Sequence, residues 1–207
     1  MVRTSQEIVE AVKLLQQRDP DCRLFGASGH RYELYGVTNA EIEELETGIG
    51  MAVPLELRRH WLEVGWGAGP FYGLFSPDEV LTRLIEAQDW SESCDLPRIS
   101  PARPFPVSQD ELSRYFENPE EERFIFENDP DGIVDLCEEG CGCVSVLVME
   151  GELIGTMWSH DGDRYCPQWY PLAGEGKEVR RGPIPYLVTF AQWYDLWLDN
   201  CLAALSE

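Results

Sequence analysis

The residues best placed for chemistry in this chain are a run of oxygen donors, a group of thiols and one histidine. Glu127, Asp129, Asp131, Gly132 and Glu138 stand at the spacing of a calcium-binding loop between two helices, with Val134 at the apolar position. Their surroundings oppose calcium. Glu127 stands where an Asp is needed, Pro130 lies inside the loop, and Gly140 and Gly142 break the exit helix. A turn leading into a strand is the better reading. Cys137, Cys141, Cys143 and Cys166 would supply four thiolates to zinc, yet they lack the Cys-x-x-Cys pairs of structural zinc sites. They read as core or turn cysteines, small enough for the buried face of a strand.

Of the histidines His30, His60 and His160, only His160 has a hydroxyl and acids beside it, in Ser159, Asp161 and Asp163. Adjacent positions on a strand or turn point different ways, whereas a nucleophile, its base and the orienting acid come from separate elements. A turn accounts for the pattern better than a hydrolase does. Gly65, Gly67 and Gly69 follow a helical pattern rather than a strand, and no Lys-Ser or Lys-Thr comes after them, which opposes phosphate binding. The expectation is no catalytic residue, no metal and no cofactor.

The elements that would position these residues are legible from periodicity and caps. A first helix opens at Thr4 with Glu7 completing a capping box, carries Ile8, Val12 and Leu15, and stops at Asp19-Pro20. Phe25 to His30 reads as a loop, Tyr32 to Tyr35 as a short strand, and Thr38 with Glu41 starts a helix ending at Gly48. Pro54 suits the first turn of a third helix, with Leu57, Trp61 and Leu62 inward. Ser76-Pro77-Asp78-Glu79 starts a fourth, with Val80, Leu81, Leu84 and Ile85 as its buried stripe.

From about 89 to 122 the chain turns Pro-rich and reads as a surface insertion, with a short helix from Ser108. Beyond it the period becomes that of strands: Gly132 to Cys137, Cys143 to Met149 and Glu152 to Trp158. A closing helix, roughly Pro185 to Leu205, places Phe190, Tyr194, Trp197, Leu198, Cys201 and Leu205 on one face and is expected on the sheet. Helices first, a mixed but mainly antiparallel meander later and one closing helix predict an α+β fold in a single domain over residues 1–207.

Thirty-eight acids against sixteen Lys and Arg give a formal charge of -22, spread along the whole chain. Such a field repels phosphate polymers and anionic membranes, and it speeds the approach of a basic protein. With 43% hydrophobic and 11% aromatic residues the chain is expected to fold rather than act as an acidic tail. The Trp and Tyr residues are interleaved with acids rather than with Lys or Arg, which argues for core use and against nucleic-acid stacking. No apolar run is long enough for a membrane span, the N-terminus has no signal-peptide pattern, and seven cysteines, an odd number, fit reduced thiols in a cytoplasm.

Several short pieces fall in one order along the chain: Asp19-Pro20, Phe25-Gly26-Ala27 and His30-Arg31-Tyr32; Glu46, Pro54, Arg58 and Gly65; Gly67-Ala68-Gly69-Pro70 and Tyr72-Gly73-Leu74. Gly140-Cys141-Gly142, Leu147-Val148, Gly151, Gly155 and Trp158 follow, then Trp193-Tyr194 and Trp197-Leu198-Asp199. Together they resemble the Smi/Knr branch of the SUKH superfamily over nearly the whole chain. Val53 before the proline, Leu57 in place of an aromatic and the long Pro-rich segment depart from that pattern.

The resemblance implies an α+β domain without catalytic residues that works by binding another protein. Bacterial relatives are chiefly immunity proteins, each neutralising a toxin, often a nuclease, from neighbouring cells. Fungal relatives regulate cell-wall synthesis through protein contacts. The expectation is therefore a non-enzymatic, cytoplasmic immunity protein whose partner is a toxin domain with a basic face; the alternative is a regulator or scaffold with endogenous partners. The acids expected in loops, and hence as contacts, are Glu120, Glu121, Glu122, Asp129, Asp131, Glu138, Glu139, Asp161 and Asp163.

Overall fold

A computed structural model describes residues 2–117, 124–126, 128–162, 164–168 and 187–206. Helix α1, Ser5–Arg18, begins at the expected box: the Thr4 hydroxyl accepts from the Glu7 N–H and the Glu7 carboxylate accepts from the Thr4 N–H at 2.7 Å. Ile8, Ala11, Val12 and Leu15 form its buried stripe. Where a loop was expected, one helical turn, α2 (Ala27–His30), follows Gly26. Strand β1 is only Leu34–Tyr35, because Tyr32 adopts a left-handed φ of 57° and turns its phenol inward, where it donates to Asp19 at 2.6 Å.

Helix α3, Asn39–Ile49, runs past Gly48 and ends at Gly50, and α4 spans Leu55–Glu63 with Pro54 just outside it. Leu57 and Trp61 are buried as expected, whereas Leu62 is 38% exposed. Strand β2, Trp66–Gly67, pairs antiparallel with β1. Helix α5, Pro77–Ser93, starts with the Ser76 hydroxyl accepting from the Glu79 N–H. Val80 and Leu84 are buried, but Ile85 is exposed: α5 packs on α3, and a helix turns about 100° per residue, which carries Ile85 out of the seam.

Helix α6, Gln109–Glu117, begins at Ser108 with a reciprocal bond to Glu111. The remaining strands are β3 (Phe124–Ile125), β4 (Ile133–Gly140), β5 (Cys143–Val148), β6 (Met157–Asp161) and β7 (Arg164–Pro167), in the order β3-β7-β6-β5-β4 and antiparallel at every pairing. Strand β6 starts later than the expected Glu152, since residues 151–156 form a turn that returns the Gly155 N–H to the Val148 carbonyl at 2.8 Å. The architecture is α+β and closes with helix α7, Phe190–Ala204, capped by Thr189 and Gln192. The expected start at Pro185 lies outside the described residues.

Alternation along the strands sends side chains to two cores. Val134, Leu147 and Met157 face the larger one, shared with α1, α3, α4, α5 and α7. Val144, Val146, Val148, Trp158 and Tyr165 face a second core, completed by Phe105, Val107, Leu112 and Tyr115. Part of the segment expected as a surface insertion thus supplies a buried layer, because the sheet has a second apolar face that must be covered. Helix α7 packs chiefly on α1 and α4 rather than on the sheet. Arg3 secures that contact, pairing with Asp195 at 3.2 Å and also with Asp199. Among the described residues no helix is long and apolar enough to cross a membrane.

Candidate binding surface

The acids expected as loop contacts divide into groups. Glu120, Glu121, Glu122 and Asp163 lie outside the described residues. Asp129 and Asp131 are in a loop, but one oxygen of each is engaged within the chain. Asp129 accepts from the Tyr165 hydroxyl at 2.9 Å, and Asp131 from the Ser100 N–H at 2.8 Å and from Arg103 at 2.7 Å. Glu138 and Glu139 belong to β4 and Asp161 to β6, so these three are strand residues, contrary to expectation. The Gly140–Cys143 turn is tight enough for the ladder to reach it, which extends β4 past Cys137.

Glu139 anchors a polar cluster. Its carboxylate accepts from Ser145 at 2.6 Å, Ser159 at 2.9 Å and Gln168 at 3.0 Å, and Gln168 also donates to the Ser145 hydroxyl at 2.8 Å. Burial pushes the Glu139 carboxyl above its ordinary range, against the lowering effect of both hydroxyls. Gln168 also lines a groove of about 470 Å³ that is otherwise mostly apolar, with Leu24, Phe25, Phe71, Trp193 and Trp197 among its walls. Helix α7 contributes the two tryptophans, one turn apart on its inward side.

Phe25 is 68% exposed, and its ring meets Tyr72 at 5.7 Å and Phe71 at 6.4 Å, both edge to face. Tyr72 leads to a second cavity of about 300 Å³, lined by Glu33, Tyr35, Trp66, Tyr72 and Glu79 among others. The two cavities are therefore joined by exposed rings. No protein-family model, curated protein or solved structure matches this chain.

The histidines occupy structural positions. His160 stacks on Tyr165, ring centres 4.3 Å apart and planes within 8°. The His30 Nδ1 accepts from the Tyr32 N–H at 3.0 Å, and burial lowers its imidazole to about pKa 4. Cys137 is buried, its thiol directed to the Pro70 carbonyl at 2.9 Å and held above its ordinary range by burial. Among the described residues no group of three or more His, Cys, Asp or Glu is placed to hold a metal ion.

Sequence reasoning missed the exposed rings because aromatic residues amid acids were assigned to the core. One local signal was available: the loop residues Phe25 and Tyr72 each precede a glycine, Gly26 and Gly73, and both glycines have a left-handed φ. An aromatic followed by glycine in a loop marks a place where the backbone turns sharply and leaves the ring outside.

Proposed function

We propose that this chain is a non-enzymatic protein-binding protein of the immunity type, which neutralises a toxin domain by covering a basic surface on it. The observation that carries the reading is the run of exposed rings, Phe25 and Tyr72, between two cavities on a chain of formal charge -22. Interface energy concentrates in aromatic residues that fill or border pockets, with charge around them setting orientation and encounter rate. A nuclease domain fits this surface because its substrate site must be positive to hold phosphates. The pattern resembling the Smi/Knr branch supports the same reading, since those bacterial relatives act on toxins.

The test is binding to, and protection against, any toxin domain encoded beside this chain. Co-elution at low salt that weakens at high salt, with survival of cells expressing both proteins, is the expected result. Stable mixing without a complex, or cell death despite co-expression, would overturn it.

A further inference from the structure

The second cavity combines aromatic walls with carboxylates. Trp66 and Tyr35 sit directly opposite in the β1–β2 pair, ring centres 4.6 Å apart and planes inclined by 31°. Glu33, two residues before Tyr35 and so on its side of the extended chain, accepts the Tyr35 hydroxyl. Tyr72 and Phe75 come from the loop after β2, and Glu79 from the first turn of α5. Aromatic faces carry negative potential and carboxylates carry full charge, so the lining suits a cation.

Among the described residues the cations leave this demand open. Arg31 lies on the rim as one positive charge against two carboxylates, and His30, neutral above about pH 4, adds none. Arg83 is committed elsewhere, bonded to Asp135 at 3.0 Å with its guanidinium 4.7 Å from the Phe75 ring centre. That arrangement is an internal precedent: a guanidinium held between an aromatic ring and a carboxylate. Burial also raises the Glu79 carboxyl, with Arg83 opposing and Glu138 and Asp78 reinforcing, as expected of a negative charge short of partners.

We propose that this cavity receives an arginine side chain of the partner protein, with the guanidinium against the Tyr35 and Trp66 wall and ion-paired with Glu79 and Glu33. Arginine fits better than lysine because its planar, weakly hydrated group stacks on rings while its N–H groups reach carboxylates. A volume of about 300 Å³ is at the lower end of ligand sites and admits one long side chain rather than a large ligand. The proposal rests on the protein-binding reading only for the source of the arginine.

The experiment titrates the full chain, without any partner, with N-acetyl-L-arginine methylamide and with the citrulline and lysine counterparts, following the indole and ring resonances by NMR. Saturable shifts of Trp66 and Tyr35 with the arginine probe, in the range of tens of millimolar, are expected. The uncharged citrulline probe should bind at least about tenfold more weakly, and Glu79→Gln should weaken arginine by about tenfold. Glu33→Gln, at an exposed position that does not threaten folding, should weaken it less, and Phe25→Ala not at all. No saturable shift, equal binding of citrulline or lysine, or unchanged binding in both glutamine variants would overturn the assignment. A failed titration beside intact toxin protection removes the arginine site and leaves the protein-binding reading standing; the reverse pair of results does the opposite.

Discussion

The imidazole of His60 lies against the phenol ring of Tyr194, ring centres 4.4 Å apart, and its buried Nε2 has no hydrogen-bond partner. Phe190 closes the other approach at 5.1 Å. Burial among these rings lowers the His60 imidazole to about pKa 3, and His30 is lowered to about 4 for the same reason. Both histidines therefore bind a proton more readily in the unfolded chain, where the ordinary value is about 6.5. Their contribution is fully present above about pH 6.5 and is lost as pH falls towards about 4 and then 3. Each should cost up to about 1.4 kcal/mol per pH unit within that window.

Urea unfolding of the parent and His60→Phe at about pH 7 and about pH 5 measures this directly. The variant should retain more of its stability at the lower pH, because a phenyl ring fills the site without a proton to bind. Glu79, Asp135 and Glu139, whose carboxyls burial raises, act in the opposite sense, so the comparison of the two chains isolates His60. An equal loss in both would show that the imidazole does not set the acid limb.

Glu139 offers a second test. Glu139→Leu would remove the acceptor shared by the Ser145 and Ser159 hydroxyls and the Gln168 amide, leaving only the bond from Gln168 to Ser145, and should cost about 2 to 4 kcal/mol. Glu139→Gln keeps an acceptor oxygen and removes a buried charge, so its loss at about pH 7 should stay within about 1 kcal/mol. Denaturant midpoints of the three chains decide the matter: similar values for Leu and Gln would mean that the cluster is not tied to the folded core.

Gly26 and Gly50 share a left-handed backbone, with φ of 78° and 77°, but differ in surroundings. A Cβ at Gly26 would fall 1.7 Å from the Phe71 carbonyl oxygen, whereas one at Gly50 meets nothing within 4 Å. Gly50→Ala should cost only the left-handed penalty of about 1 to 2 kcal/mol. Gly26→Ala should cost clearly more and push apart the two loops that carry Phe25 and Phe71, measured by thermal unfolding and by loss of partner binding.

Phe25→Ala and Tyr72→Ala separate binding from folding. Phe25 is mostly exposed and should unfold within about 0.5 kcal/mol of the parent. Its affinity for the partner should nevertheless fall about thirtyfold, near 2 kcal/mol, if the ring is an anchor. Titration calorimetry with the toxin domain would show this, and affinity within about twofold of the parent would remove Phe25 from the interface.

What the sequence determined by itself was local. The boxes at Thr4 and Glu7 and at Thr38 and Glu41 formed where read, because each hydrogen bond joins residues three apart and needs no tertiary partner. The strand-period stretch from Cys143 also formed, since alternation is a property of the strand itself. Tertiary structure decided which faces were buried: Ile85 turned outward, and Phe105 and Val107 became core only because the second face of a five-stranded sheet lay above them. It also brought Glu33, Trp66 and Glu79 to one cavity and bound Glu139 to Gln168, 29 residues away. Local bonding constrains neighbours within a turn or a pleat, whereas a site assembled across the chain depends on packing that no short window of residues contains.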